Sequence, residues 1–329
     1  MSTALVLIHG RSQQMPRELR GDGDRVAAHV AAKKRSWLAG LTKGLVLARQ
    51  APIAEAQMYY PFYGNTFAGL IEDHERSGGR PPELEVADPV VKTGQELVLE
   101  AAAELGFRPE RELAYLDPEL AAEAAERDPA RELGWSDALR VPVVRSALQF
   151  VSRKTGVPEW LIEEFMRDVA YYLEDQRMRD AVLEIVRGEV ERAQAQHDDV
   201  VVIGHSLGSV VAYDFLQDQQ PQFLVRLLVT AGSPLGYPIV QNNLPGSTRG
   251  AKPPVPPIEP GGDGPRWVNA YDVRDFVALV HPLSKYFADG QTKIRDEVTH
   301  NPSGAHSIED YLADPDVAGP IGAAVNRVP

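Results

Sequence analysis

A short segment near residue 200 restricts the fold more than any other part of the chain. After Asp199, Val200-Val201-Val202-Ile203 is a continuous apolar run of strand character, the kind that is buried on both faces of a parallel sheet. It ends in Gly204-His205-Ser206-Leu207-Gly208 and passes straight into Ser209-Val210-Val211-Ala212-Tyr213-Asp214-Phe215-Leu216, which reads as a helix. A strand that turns this tightly into a helix leaves Ser206 at the turn in a strained backbone conformation. Only small residues two positions to either side let strand and helix approach, which accounts for Gly204 and Gly208. The helix N-terminus lies beneath the serine, where its positive partial charge favours an oxyanion.

Similar strand signals recur along the chain. They fall at Ala4–Ile8, Ala54–Tyr60, Leu224–Thr230, Trp267–Tyr271 and, more weakly, Lys293–Thr299. Helical sequence separates several of them, beginning with residues 25–48. This alternation predicts an α/β fold with a mostly parallel sheet of about six strands flanked by helices.

Between the second and third strands lie about 135 residues without a strand signal, far more than an ordinary connection. Helices are expected at Pro89–Leu105, Pro118–Arg127, Asp137–Lys154 and Pro158–Asp175. A further one, Arg177–Gln196, repeats Met178, Val182, Ile185, Val186 and Val190 at helical spacing. The expected organisation is therefore a core of residues 1–64 and 177–329, with 65–176 inserted as a helical cap or lid. Pro245–Pro265 is too rich in Pro and Gly for a helix or central strand. A flexible surface loop is expected there, with a mobile flap as the alternative.

Composition removes several function classes. The net charge of −13 argues against nucleic acid or an anionic membrane surface as a partner. With no cysteine there is no disulfide framework, thiolate metal site or cysteine nucleophile. No run approaches the roughly 18 apolar residues of a membrane span. The first strand starts without a basic segment before it or a small-residue cleavage site after it, so a cytoplasmic protein is expected. Nothing in the pattern sets an oligomeric state.

The eight histidines show no metal-ligand spacing. Gly21-Asp22-Gly23-Asp24 lacks the remaining ligands of a calcium loop, and Gly204–Gly208 lacks the Lys-Ser/Thr of a phosphate loop. No cofactor or metal is expected.

The strand, the G-x-S-x-G turn and the helix resemble the α/β-hydrolase family, especially its lipase- and esterase-like members. The resemblance covers about residues 4–64 and 177–327. Strands usually found ahead of the first one here are missing, which implies a trimmed sheet. In the family an oxyanion-hole donor follows a strand ending in His-Gly, and Leu7-Ile8-His9-Gly10-Arg11 matches that. The implied donors are the backbone N–H groups of Arg11 and Leu207. The family's acid follows a later strand: Asp275, in Asp275-Phe276-Val277, fits its pattern better than Asp272, which remains the alternative. The family's histidine comes last. His306, in a small-residue loop before a helix, is favoured over His300, and His281 lies too close to the acid.

The resemblance thus implies a serine hydrolase with Ser206, Asp275 and His306 in the chain order of the fold, cleaving a carboxylic ester through an acyl-serine. The substrate would be a small-molecule or lipid-like acyl ester. An acyltransferase or thioesterase using the same acyl-serine is one alternative, and an inactive hydrolase fold serving as a binding module is another. The aromatic run Tyr59–Tyr63 is expected to pack in the core, with lining of an acyl pocket as the alternative. Arg11 could meet an anionic substrate group or simply be solvated.

Overall fold

The computed structural model describes residues 2–11, 13–76, 88–108, 141–218, 224–248, 250–259 and 264–326. It divides into two compact units. One comprises Met1–Phe67, Ala181–Gly236 and Gln241–Pro329; the other comprises Ala68–Asp180 and Tyr237–Val240.

The first unit holds an all-parallel sheet of six strands: β1 (Thr3–Ile8), β2 (Met58–Tyr59), β3 (Asp199–His205), β4 (Leu224–Ala231), β5 (Trp267–Tyr271) and β6 (Ile294–Val298), in the order β2-β1-β3-β4-β5-β6. This is the α/β class and strand number that the alternating pattern predicts. Every residue of β1 is buried, and so are the first six of β3. From β1 the chain runs outward to β2 on one side and later returns to β3 on the other. The strand order therefore reverses between β1 and β3, the place where open parallel sheets leave a crevice at the carboxyl ends. Ile8 pairs with Gly204, so the loops after these two strands start side by side.

One sheet face is covered by α1 (Gly23–Leu47) together with two C-terminal helices. Its Trp37, Leu41 and Leu45 share a core with Leu5, Leu7, Val201, Ile203, Val229, Tyr311, Val317 and Ile321. Asp22 caps α1 by accepting the N–H of Arg25 at 3.1 Å, which gives the Gly-Asp-Gly-Asp stretch a structural role.

The second unit is helical among its described residues. It contains most of α2 (Gly64–Arg76), then α3 (Pro89–Glu104), α4 (Pro142–Thr155), α5 (Glu159–Glu174) and the start of α6 (Gln176–Gln194). Phe107 and Phe150 pack edge to face at 5.4 Å, and Thr93 Oγ1 donates to Glu174 at 2.5 Å. Pro142 opens α4, and Gly156 closes it in a left-handed conformation, φ 73°.

Several boundaries depart from expectation. The second strand is two residues long, not the run from Ala54 to Tyr60, because Glu55–Gln57 forms a 3₁₀ turn whose Gln57 side chain bonds back to the Ala54 N–H. Helix α2 occupies residues where the sequence reading placed no helix. The helix expected at 118–127 lies outside the described residues, as do residues 137–140 ahead of α4.

The Pro-rich stretch forms neither helix nor strand among its described residues, as expected. Where it is described it is tied to the first unit: Tyr213 donates to Pro254 O at 2.7 Å, Ala288 to Pro253 O at 2.9 Å, and Glu259 to Val225 O at 3.0 Å. Pro253, Pro256 and Ile258 are buried while Pro254, Pro257 and Glu259 are exposed, so this loop is held against the first unit along part of its length.

Candidate active site

Five segments, those that follow β1, β3, β4, β5 and β6, meet at the carboxyl end of the sheet. The turn between β3 and α7 (Leu207–Asp218) holds Ser206 at φ +58°, the strained conformation its sequence context predicts. Its N–H donates to Ala231 O at 3.0 Å, and the Ser209 N–H donates back to Ser206 O at 2.9 Å. A Cβ on Gly204 would lie 2.6 Å from Gly208 O, and one on Gly208 would collide with the carbonyls of Ile8 and His9. Both glycines are therefore required by close backbone approach. The Ser206 side chain is buried, and its Oγ has no hydrogen-bond partner among the described residues.

After β5 the backbone turns at Asp272–Asp275 into the 3₁₀ segment Phe276–Ala278, which Asp275 caps by accepting the Val277 N–H on Oδ1 at 2.9 Å. That leaves Oδ2 aimed across the site. His306 stands just before α8 (Ile308–Ala313), whose cap Ser307 accepts the Asp310 N–H at 3.2 Å. His306 Nδ1 lies 2.7 Å from Asp275 Oδ2. A carboxylate only accepts, so Nδ1 carries a proton in this bond, and in the neutral ring Nε2 is the acceptor.

The other acid is engaged elsewhere. Asp272 accepts Arg274 N at 2.9 Å, Arg274 Nε at 3.0 Å, Arg274 Nη2 at 2.5 Å and Asn301 N at 2.8 Å. Burial raises its carboxyl, but these donors outweigh burial and hold it below the usual range. His300 is exposed, and His281 stacks on Tyr271 with ring centroids 4.1 Å apart. Of the sequence candidates, the geometry pairs Asp275 with His306 and leaves Asp272, His300 and His281 outside that pair.

Two further residues that the sequence reading did not single out stand against this pair, one of them next to Ser206 in the strand-to-helix elbow. His205 donates from Nε2 to His306 O at 3.1 Å, and the two rings lie 4.5 Å apart. Burial first, and then the neighbouring His306, hold His205 well below the ordinary imidazole range, so it is neutral. Gly232, at φ +56° after β4, leaves no room for a side chain: a Cβ there would lie 2.7 Å from Asp275 Oδ2 and 2.8 Å from His306 Nδ1. The only signal for it in the sequence is its place at a strand end. No hydrogen bond joins Ser206 Oγ to His306; such contacts are commonly loose without substrate.

Opposite the elbow, Gly10 follows β1. His9 donates from Nδ1 to Gly10 O at 2.6 Å and accepts the Tyr63 N–H on Nε2 at 3.2 Å, two bonds that select one neutral tautomer. Burial pushes His9 down to about 3. Tyr63 stacks on the ring at 4.0 Å and Tyr60 at 5.3 Å, which gives both aromatic residues a packing role. Gly10 O and Arg11 N–H belong to one planar peptide, so His9 orients that N–H. Leu207, fully buried, begins α7, where the first backbone N–H groups have no partner within the helix.

Among the described residues, no cluster of His, Asp or Glu is arranged to hold a metal ion. No helix there is long and apolar enough to cross a membrane.

The model of the alpha/beta hydrolase family matches residues 167–317, a span that includes Ser206, Asp275 and His306. No curated protein and no solved structure matches the chain.

Proposed function

The chain belongs to the α/β-hydrolase superfamily, and from that premise we propose a serine hydrolase that cleaves a carboxylic ester through an acyl-serine intermediate. The observation that carries the reading is the 2.7 Å bond between His306 Nδ1 and Asp275 Oδ2, set beside a buried serine held at φ +58°.

In this reading Ser206 Oγ attacks the acyl carbonyl while its proton passes to His306 Nε2. Asp275 holds the imidazole in the tautomer that accepts at Nε2 and stabilises it once charged. The carbonyl oxygen becomes an oxyanion, taken up by the Arg11 and Leu207 N–H groups, each donor contributing about 10²–10³ in rate. His306 then returns the proton to the departing alkoxide oxygen, which leaves as the alcohol. Water repeats the sequence on the acyl-serine: His306 accepts its proton, the C–O bond to Ser206 breaks, and the serine recovers its hydrogen as the acid departs.

The substrate class in this proposal is a small-molecule or lipid-like acyl ester. Residues 65–176 are proposed as the insertion that selects among acyl groups. The test is hydrolysis of an ester and thioester panel, with alcohol acceptors present, by the wild type, Ser206→Ala and His306→Ala. Ester turnover that falls about 10⁴-fold or more in both variants is expected. Turnover retained in Ser206→Ala contradicts the reading.

A further inference from the structure

Asp275 Oδ2 receives a second side-chain donor. Tyr311 Oη lies 2.7 Å from it, on the same oxygen that accepts the His306 Nδ1–H. Because the carboxylate accepts, the phenol donates. Its oxygen in turn accepts the Asp272 N–H at 3.0 Å. The Tyr311 hydroxyl is thus fixed in direction by partners on both sides.

Packing alone does not account for that hydroxyl. Tyr311 is fully buried in the core shared by the sheet and α1, where a phenylalanine ring would fill the same space. The residue also stands on the segment that presents His306: Tyr311 N–H donates to Ser307 O at 3.1 Å, in the first turn of α8. One helix start therefore delivers both the imidazole and the phenol to a single carboxylate oxygen.

We propose that Tyr311 is a positioning residue for the Asp275–His306 pair, turning Oδ2 toward the imidazole and drawing charge from the carboxylate so that His306 does not hold its proton too tightly. Its effect on turnover rests on the serine-hydrolase reading; its effect on His306 does not. The charged and titratable groups involved are few. His306 faces Asp275 and His205, while Tyr311 faces Asp275, Asp272 and the neutral His205 ring, with centroids 6.4 Å apart, and the charge of Asp272 is paired with Arg274. Burial and the Asp275 charge push the phenol far above its ordinary range, so Tyr311 remains a donor at every working pH.

The test is Tyr311→Phe, read in two ways. For ester hydrolysis, kcat falls about tenfold with little change in KM, as expected for a lost bond to a charged group, and the acid limb of kcat/KM moves to higher pH. The imidazole titration of His306, followed by NMR on histidine-labelled protein, moves to higher pH as well. In an Asp275→Asn background the substitution adds no further shift. Fluorotyrosine at position 311, a stronger donor in a ring of nearly the same size, moves the titration the other way and serves if Tyr311→Phe does not fold. A His306 titration unmoved by either change overturns the proposal, whether or not the protein hydrolyses esters. Loss of the serine reading shows separately, as turnover that persists in Ser206→Ala.

Discussion

Gly10 lies directly against Ser206: a Cβ at position 10 would stand 2.6 Å from Ser206 Cβ and 3.1 Å from its Oγ. The glycine after β1 is thus set by the serine after β3, nearly two hundred residues away in sequence. Gly10→Ala forces either the elbow or the β1 loop to move. Displacement on the scale of an ångström costs about 10² in kcat/KM, measurable on any ester the wild type turns over, with circular dichroism unchanged.

The two acidic residues after β5 separate by the property they control. Asp275→Asn presents the wrong tautomer of His306, and kcat falls about 10⁴-fold while the fold persists. Asp272→Asn loosens the contacts to Arg274 and Asn301, lowering the melting temperature while keeping most turnover per folded molecule. Paired melting curves and kcat values check both outcomes.

His9→Asn and His9→Phe test the peptide that carries the Arg11 N–H. Asparagine retains a donor near the position of Nδ1 and keeps most activity. Phenylalanine packs against Tyr63 but leaves Gly10 O without its 2.6 Å partner, and kcat falls about tenfold with a smaller change in KM.

The helical unit contains its own pH-dependent group. Glu100 is half-buried and accepts the Ile239 N–H at 3.0 Å; burial raises its carboxyl to about 7. A raised carboxyl binds its proton more tightly in the folded state, so its contribution is full below about 4.5 and is lost as pH rises through about 7. Glu100→Gln therefore flattens the fall in stability across that window. Urea midpoints for both proteins at pH 5 and pH 8 measure the difference.

Sequence legibility followed how local each feature is. β1 and β3 are unbroken apolar runs, and the turn at Ser206 is encoded within five residues, so the sheet class and the elbow could be read directly. β2 could not, because its strand character is confined to Met58 and Tyr59 and a 3₁₀ turn precedes it. Helix α2 follows an aromatic run with no capping signal strong enough to announce it. Between Asp272 and Asp275, spacing and the family pattern only favoured one. The distinction lies in contacts with Asn301, His306 and Tyr311, all brought in by later segments. The same holds for Gly232 and His205, whose neighbours exist only once the chain has folded.

The most direct test of the central claim is intact-mass and peptide mapping after exposure to a fluorophosphonate. The account predicts one adduct, on the peptide containing Ser206, formed by the wild type and lost in both Ser206→Ala and His306→Ala. An unlabelled wild type, or an adduct on another residue, would contradict it.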